Sequence, residues 1–202
     1  MICKICNKEI YEYFLNDPLS IKNHNICYKC FNELPIIYEK TIINSYVCLS
    51  IYAYKDKIKE LIYQLKGLKD LELKNVFLEY FIDELNCLYR GYTIVFAPSF
   101  YLDDQERGFN HVEVIFSLLK NKKIKLFLKN RNYKQSDQSF KNRKNIKNVI
   151  EIDKSKLKGI KKVLVVDDVL TSGNTLSTCS SLLYKEGIKD IKLLTISKVV
   201  EI

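Results

Sequence analysis

The chain has 202 residues, 47% of them apolar, which suits one α/β domain with a real core and a small appendage. No apolar run approaches the roughly eighteen residues that a membrane span needs, and the opening MICKICNKE lacks the apolar centre of a secretory leader. No membrane insertion and a cytoplasmic location are therefore expected. The net charge of +9 is segregated: residues 120–162 hold sixteen Lys or Arg and three acids, while the rest is slightly acidic. Such a stretch is a candidate surface for a polyanion.

The chain begins with two C-x-x-C knuckles, Cys3 with Cys6 and Cys27 with Cys30, twenty residues apart. Cysteines in a chain without a leader argue for reduced thiols, and this spacing suits tetrahedral zinc in a ribbon or finger-like clip. A redox C-x-x-C comes singly, and four thiolates leave no open position for water, so this zinc is expected to be structural. His24 could replace one ligand or sit in a solvated loop. A segment of about forty residues has little core of its own, so metal would supply much of its stability. The expected division is a zinc-binding module over residues 1–40 and a second domain over 41–202. Cys48, Cys87 and Cys179 have apolar neighbours and read as core filling.

Further elements follow from periodicity. Residues 10–15 can supply a hairpin strand, and 31–37 can begin a short helix that Pro35 interrupts. Residues 46–54 read as a strand. Ile58, Leu61, Ile62 and Leu65 mark an amphipathic helix, and a second is expected over 71–89. Residues 93–97 form a short buried strand stopped by Pro98. Val112, Ile115, Phe116 and Leu119 share a helical face, and 124–128 can be a strand. Residues 129–158 carry no sustained period, and a polar stretch of that length is functional or mobile. The last strand covers about 191–196. Strands alternating with helices predict a parallel sheet with ligands at the strands' carboxyl ends.

The most informative stretch is VLVVDDVLTSGNT, residues 163–175. Val163, Leu164, Val165 and Val166 read as a strand buried on both faces, with Asp167 and Asp168 where it should end. A small polar turn follows, Thr171, Ser172, Gly173, Asn174 and Thr175. Leu176, Cys179, Leu182 and Leu183 then repeat on one helical face. Free amides of such a turn and the positive end of the helix dipole would face a phosphate. The two carboxylates can accept hydrogen bonds from sugar hydroxyls, so the segment suits a sugar phosphate. The acid pair is not a Walker B element, because the six glycines lie at least fourteen positions apart and allow no Walker A loop.

This stretch resembles the phosphoribosyl-diphosphate signature of type I phosphoribosyltransferases. Two clusters join it: Glu106-Arg107-Gly108-Phe109-Asn110 after Pro98, and Arg131, Gln135, Gln138, Arg143 and Asn145 in the basic stretch. With the cysteine clip, the pattern resembles the ComF competence-protein family over nearly the whole chain. That family pairs a small cysteine-rich module with a phosphoribosyltransferase domain. It carries an RGFN motif, here Arg107 to Asn110, and an arginine, glutamine, arginine, asparagine series. Residues 100–104, Phe-Tyr-Leu-Asp-Asp, stand where the family usually has basic residues, and His111 stands where glutamine is common.

The resemblance implies a phosphoribosyltransferase-like parallel sheet flanked by helices, with a four-cysteine zinc module at its N-terminus. It implies phosphoribosyl diphosphate as ligand, its 5-phosphate held by Leu170, Thr171, Ser172, Gly173, Asn174 and Thr175. Asp167 and Asp168 would grip the ribose hydroxyls and touch a magnesium shell. Arg107, with Arg131 or Arg143, would neutralise the diphosphate. Two functions are then open. One is handling of incoming single-stranded DNA in natural transformation, with other competence or DNA-uptake proteins as further partners. The basic stretch interleaved with Phe127, Tyr133 and Phe140 favours it. The other is transfer of ribose 5-phosphate to a nitrogenous acceptor that has no signature in the sequence.

Overall fold

The computed structural model describes residues 1–10, 24–99, 101–129 and 150–200. After the first cysteines a short helix, α1 (Tyr28–Asn32), leads into a hairpin of β1 (Ile36–Ile43) and β2 (Tyr46–Ala53). Asn44 and Ser45 turn this hairpin with φ of 50° and 69°, the left-handed pair that a two-residue turn between twisted strands requires. Then follow α2 (Asp56–Gly67), α3 (Ile82–Leu88), β3 (Thr93–Phe96), α4 (Tyr101–Arg107) and α5 (His111–Ile115). The chain continues through β4 (Lys123–Ile124), β5 (Phe127–Lys129), β6 (Ile150–Ile152), β7 (Lys162–Leu170), α6 (Asn174–Lys185) and β8 (Asp190–Lys198).

The main sheet has six strands in the order β1-β2-β8-β7-β3-β4. All neighbours pair in parallel except β1 with β2. Strands β5 and β6 form a separate antiparallel pair. The central strands β7 and β8 are nearly continuous apolar runs because helices cover both faces. On one face Leu164, Val166, Leu194 and Ile196 pack with Ile58, Leu61 and Leu65 of α2 and with Ile115 of α5. On the other, Val163, Val165 and Leu193 pack with Leu176, Cys179 and Leu183 of α6. The sheet is thus the predicted parallel one, with an antiparallel edge added.

Several elements differ from expectation. Residues 71–89 form no single helix: a 3-10 turn at Leu71–Asn75 and a run of turns precede α3. They wrap Phe77 and Leu78, both fully buried, under the sheet. Residues 124–128 divide between β4 and β5, which lie in different sheets. Strand β1 begins at Ile36, so the main sheet starts before residue 40. Strand β7 does not stop at Val166 but runs through both acids to Leu170, paired throughout with β8. Cys48 and Cys179 are buried as expected, whereas Cys87 is exposed. The expected hairpin strand at 10–15 lies, beyond Ile10, outside the described residues.

Candidate functional site

Because β7 continues past Val166, its period of two sends adjacent side chains to opposite faces. Asp167 follows Val163 and Val165 toward the α6 side, and Asp168 follows Leu164 and Val166 toward α2 and α5. The acids therefore have different surroundings. Asp168 is buried and accepts from three donors: the Val169 amide at 2.8 Å, His111 Nε2 at 3.0 Å and Lys66 Nζ at 3.4 Å. Burial alone would push its carboxyl up, but the His111 bond and the Lys66 charge outweigh burial and hold it well below the usual carboxylate range. Asp167 accepts the Asp168 amide at 2.9 Å. Burial, then the charge of Asp168, push its carboxyl well above that range.

His111 is the hinge of a longer chain of contacts. Arg107 Nη1 lies 3.1 Å from His111 Nδ1. A guanidinium only donates, so Nδ1 accepts, and the single ring proton sits on Nε2, where it is donated to Asp168. Arg107 also donates to Asp104 Oδ1 at 2.9 Å and, through Nε, to the Lys66 carbonyl at 3.0 Å. Its side chain is 9% exposed, and Nη2 makes no hydrogen bond among the described residues. Asn110 of the same motif is structural: it caps α5 by accepting the Glu113 amide at 3.0 Å and donates to Ser99 and Asp104.

The turn after β7 enters α6 through Gly173, whose φ is +71°. A Cβ there would approach Ile43 Cδ1 to 3.0 Å, so glycine is required both by the left-handed backbone and by the β1 edge packed against it. Among the described residues the hydroxyls of Thr171, Ser172 and Thr175 have no hydrogen-bond partner. Two cavities flank the turn. One, about 410 Å³, opens between α2 and Asp168. The other, about 450 Å³, lies between Thr41, Ser172 and Lys198. Lys198 is the register partner of Leu170 on β8 and donates to Glu39 at 2.6 Å and Thr41 at 3.1 Å.

The four cysteine sulfurs, from Cys3, Cys6, Cys27 and Cys30, lie within 4.8 Å of one another. Cys6 and Cys27 sulfurs are 3.9 Å apart, close to the edge of a tetrahedron with metal–sulfur bonds of about 2.3 Å. The Cys27 amide donates to the Cys3 sulfur at 3.3 Å. Burial raises the Cys3 thiol, but amides of Cys6, Cys27 and Ile5 outweigh it and bring it down to about 7, whereas burial holds the Cys27 and Cys30 thiols up. The donor set fits a metal ion. His24 is not among these ligands; its ring stacks on Tyr80 at 4.1 Å, and Phe31 stacks on Tyr80 at 4.0 Å. Beneath them the buried Glu79 accepts the amides of Asn25 at 2.9 Å and Ile26 at 3.0 Å and the Asn25 side chain at 2.7 Å.

Residues 107–199, from the guanidinium through α6 to the end of β8, match the family model of the phosphoribosyl transferase domain. Two curated relatives are both named competence protein ComFC. The one from Streptococcus pneumoniae is 29% identical over 143 residues, which is 71% of this chain and 64% of that protein. The one from Bacillus subtilis is 23% identical over 188 residues, 92% of this chain and 72% of that protein. Over most of its length the chain is thus similar to ComF proteins. It spans less than two thirds of the pneumococcal relative. Among solved structures, a hypoxanthine phosphoribosyltransferase from Staphylococcus aureus aligns over 86% of this chain and 76% of that one, at 13% identity and a TM-score of 0.32. That likeness is too slight to carry an argument.

Of the residues expected from the ComF resemblance, the structure brings Arg107 and Asp168 into one network and sets residues 170–175 beside it. Asp167 is turned to the other face. Arg131, Gln135, Gln138, Arg143, Asn145, Tyr133 and Phe140 lie outside the described residues. Phe127 is 7% exposed and belongs to the core under α6, so it offers no ring for stacking. Sequence reasoning missed Lys66, Lys198 and Glu79. Lys66 and Lys198 have no motif, being a helix-face and a strand-end lysine. Glu79 sits in a stretch whose helical period hid its burial. No described helix is long and apolar enough to cross a membrane.

Proposed function

We propose that this ComF-like chain binds phosphoribosyl diphosphate with magnesium and handles single-stranded DNA during natural transformation in the cytoplasm. The observation that carries the ligand reading is the turn from Leu170 to Thr175. Its glycine is left-handed, its three hydroxyls have no partner among the described residues, and it opens a twelve-residue helix, which together make a cradle for a phosphate. Asp168, held ionised, would accept from the pentose. Arg107, whose Nη2 has no partner among the described residues, would donate to the diphosphate, with Arg131 and Arg143 as further cations. Magnesium bound to the diphosphate would neutralise charge there. The zinc of the cysteine clip is structural.

Calorimetry with phosphoribosyl diphosphate and magnesium tests this. Binding to the wild type and its loss in Ser172→Glu, which sets a like charge in the cradle at an exposed position, is the expected result. Equal binding by both proteins would overturn the site.

The DNA reading is supported by charge and by the names of the relatives. Lys120, Lys122, Lys158 and Lys161 are exposed and carry no ion pair among the described residues. Six phosphate contacts would give a log–log salt slope of about −4 for a single strand. A flat slope, or no binding, would remove DNA as a partner.

The second reading is phosphoribosyl transfer. The C1–oxygen bond to diphosphate breaks, an acceptor nitrogen bonds C1, and the acceptor's proton passes to solvent. Placement and charge stabilisation would carry the rate without a protein nucleophile. Magnesium-dependent diphosphate release that requires an added acceptor would establish this reading.

A further inference from the structure

The two ends of the parallel sheet differ in chemistry. The carboxyl ends of the strands hold Asp168 and the turn at residues 170–175. The amino ends are reached through residues 88–93, 119–123, 157–162 and 184–190, which lead into β3, β4, β7 and β8. These four segments carry nine Lys or Arg and two acids. Both acids are already engaged. Asp190 accepts from the Tyr92 hydroxyl at 2.7 Å and pairs with Lys162 at 3.2 Å, and Glu186 pairs with Lys154 at 2.7 Å. Arg90, Lys120, Lys122, Lys158, Lys161 and Lys189 are exposed, and their side chains have no ion pair or hydrogen bond among the described residues.

Exposed lysines taken singly are ordinary; the register is what makes these a group. Ile94 pairs with Lys123, Thr93 with Val163, and Lys162 with Asp190. In the strand order β8-β7-β3-β4 the cations therefore stand at one level across four neighbouring strands. At about 4.8 Å per strand they form a row about 14 Å wide. Helix α6 runs back toward the same end, and its last turn carries Tyr184, 58% exposed. The ring has no stacking or hydrogen-bond partner among the described residues, and Lys185 and Lys189 follow it in the chain. Cations in a row beside an uncovered ring match a single strand, whose phosphates need charge and whose bases need a flat face.

We infer that the amino end of the sheet is the face that holds single-stranded DNA, with phosphates along the row from Lys189 to Lys122 and a base on Tyr184, while the carboxyl end is left to the small anionic ligand. The inference rests on the DNA reading above and adds where the strand lies. It also makes the two ligands compatible. The nine residues of β7 separate the ends by about 26 Å, well beyond the screening length of about 8 Å at physiological salt. A bound diphosphate therefore neither blocks nor repels the strand.

Fluorescence anisotropy with a labelled oligothymidylate of about twelve nucleotides, within the roughly 4–16 that one single-strand module covers, tests this on the full chain. Replacing Lys122, Lys161 and Lys189 together by glutamine should weaken binding by roughly tenfold or more. It should also flatten the log–log salt slope by about 2, at about 0.7 per lost phosphate contact. Replacing Lys29, Lys59 and Lys74 by glutamine removes the same charge from other exposed positions and should change neither. Tyr184→Ala should weaken binding by about tenfold with the slope unchanged, because the ring carries no charge. All seven positions are exposed, and thermal melts verify that each variant is folded. Saturating phosphoribosyl diphosphate with magnesium should leave strand affinity within about twofold of that in magnesium alone.

Strand binding by the wild type that is indifferent to the Lys122, Lys161 and Lys189 variant, or that falls equally in the Lys29, Lys59 and Lys74 variant, would overturn this face and leave the DNA reading standing. If the wild type binds no oligothymidylate, both fall. Displacement of the strand by phosphoribosyl diphosphate would place the two ligands at one end and refute the separation. A slope that responds to the lysines with affinity unmoved by Tyr184→Ala would keep the row of cations and remove the ring from it.

Discussion

Asp167 and Asp168 are neighbours with opposite energetics, because a strand's side chains alternate while its backbone is shared. Asp167 has a folded-state pKa above its unfolded value near 4. Its contribution to stability is fully present below that unfolded value and is lost as pH rises through the folded one. Asp167→Asn should therefore stabilise the fold at pH 7, an advantage that vanishes below about pH 4. Asp168 is the reverse: its folded pKa is depressed, so its contribution is present above the unfolded value and is lost as pH falls toward the folded one. Asp168→Asn should cost about 2–3 kcal/mol at pH 7, the gap narrowing in acid. Urea melts of both variants at pH 4, 5.5 and 7 check the crossing pattern, and parallel curves would refute it. The same reasoning explains His111. With its proton on Nε2 it presents one donor to Asp168 and one acceptor to Arg107, and a glutamine amide offers the same pair. His111→Gln should stay within about 1 kcal/mol of wild type, whereas His111→Leu, which removes one donor from Asp168 and one acceptor from Arg107, should lose about 2–4 kcal/mol in the same melts.

At the scale of elements, what the sequence made legible were the pieces whose pattern and surroundings agree. Strands β7 and β8, buried on both faces, read as apolar runs, and α6 showed its one apolar face. The glycine turn between them was visible for the same reason, since Gly173 is the residue its φ of +71° demands. Strand β1 was missed because Ile-Ile-Tyr-Glu-Lys-Thr-Ile-Ile is an edge: Ile42 is 64% exposed, and a bulge between Ile36 and Glu39 breaks the alternation. The helix expected at 71–89 failed because Phe77 and Leu78 both point into the core, which straight helix geometry does not favour for adjacent residues. The sequence placed the acids at a strand end and so on one ligand; tertiary pairing with β8 extended the strand and separated them. The β1 edge bears on the phosphate turn through Ile43. Gly173→Ala should cost about 1–3 kcal/mol through backbone strain and contact with Ile43, and trimming Ile43 to valine should restore only the contact part. Full recovery in the double variant, by thermal melts, would show that φ contributes nothing.

Across the whole molecule, the cysteine clip is fastened to the sheet domain largely through residues 79–81, with Lys4 paired to Glu72 and Ile26 and Leu34 packed into the main core. Glu79 takes three hydrogen bonds from residues 25 and 26, the Tyr80 ring sits between His24 and Phe31, and Tyr80 donates to the Ile26 carbonyl at 3.1 Å. Metal removal and loss of Glu79 should therefore act on one unit. Chelation should lower the melting temperature of the whole chain rather than release a separate early transition. Glu79→Ala, which strands two amides, should cost about 2–4 kcal/mol and make the protein unfold at lower chelator concentration. Two resolved transitions in calorimetric scans would contradict this. Synthesis gives the arrangement a further meaning. Asn25 and Glu79 are 54 residues apart, so at about 5–20 residues per second the clip leaves the ribosome's decoding centre roughly 3–11 s before its anchor is made. During that interval the four thiols lack that anchor, so metal supply during synthesis should be a determinant of how many nascent chains mature.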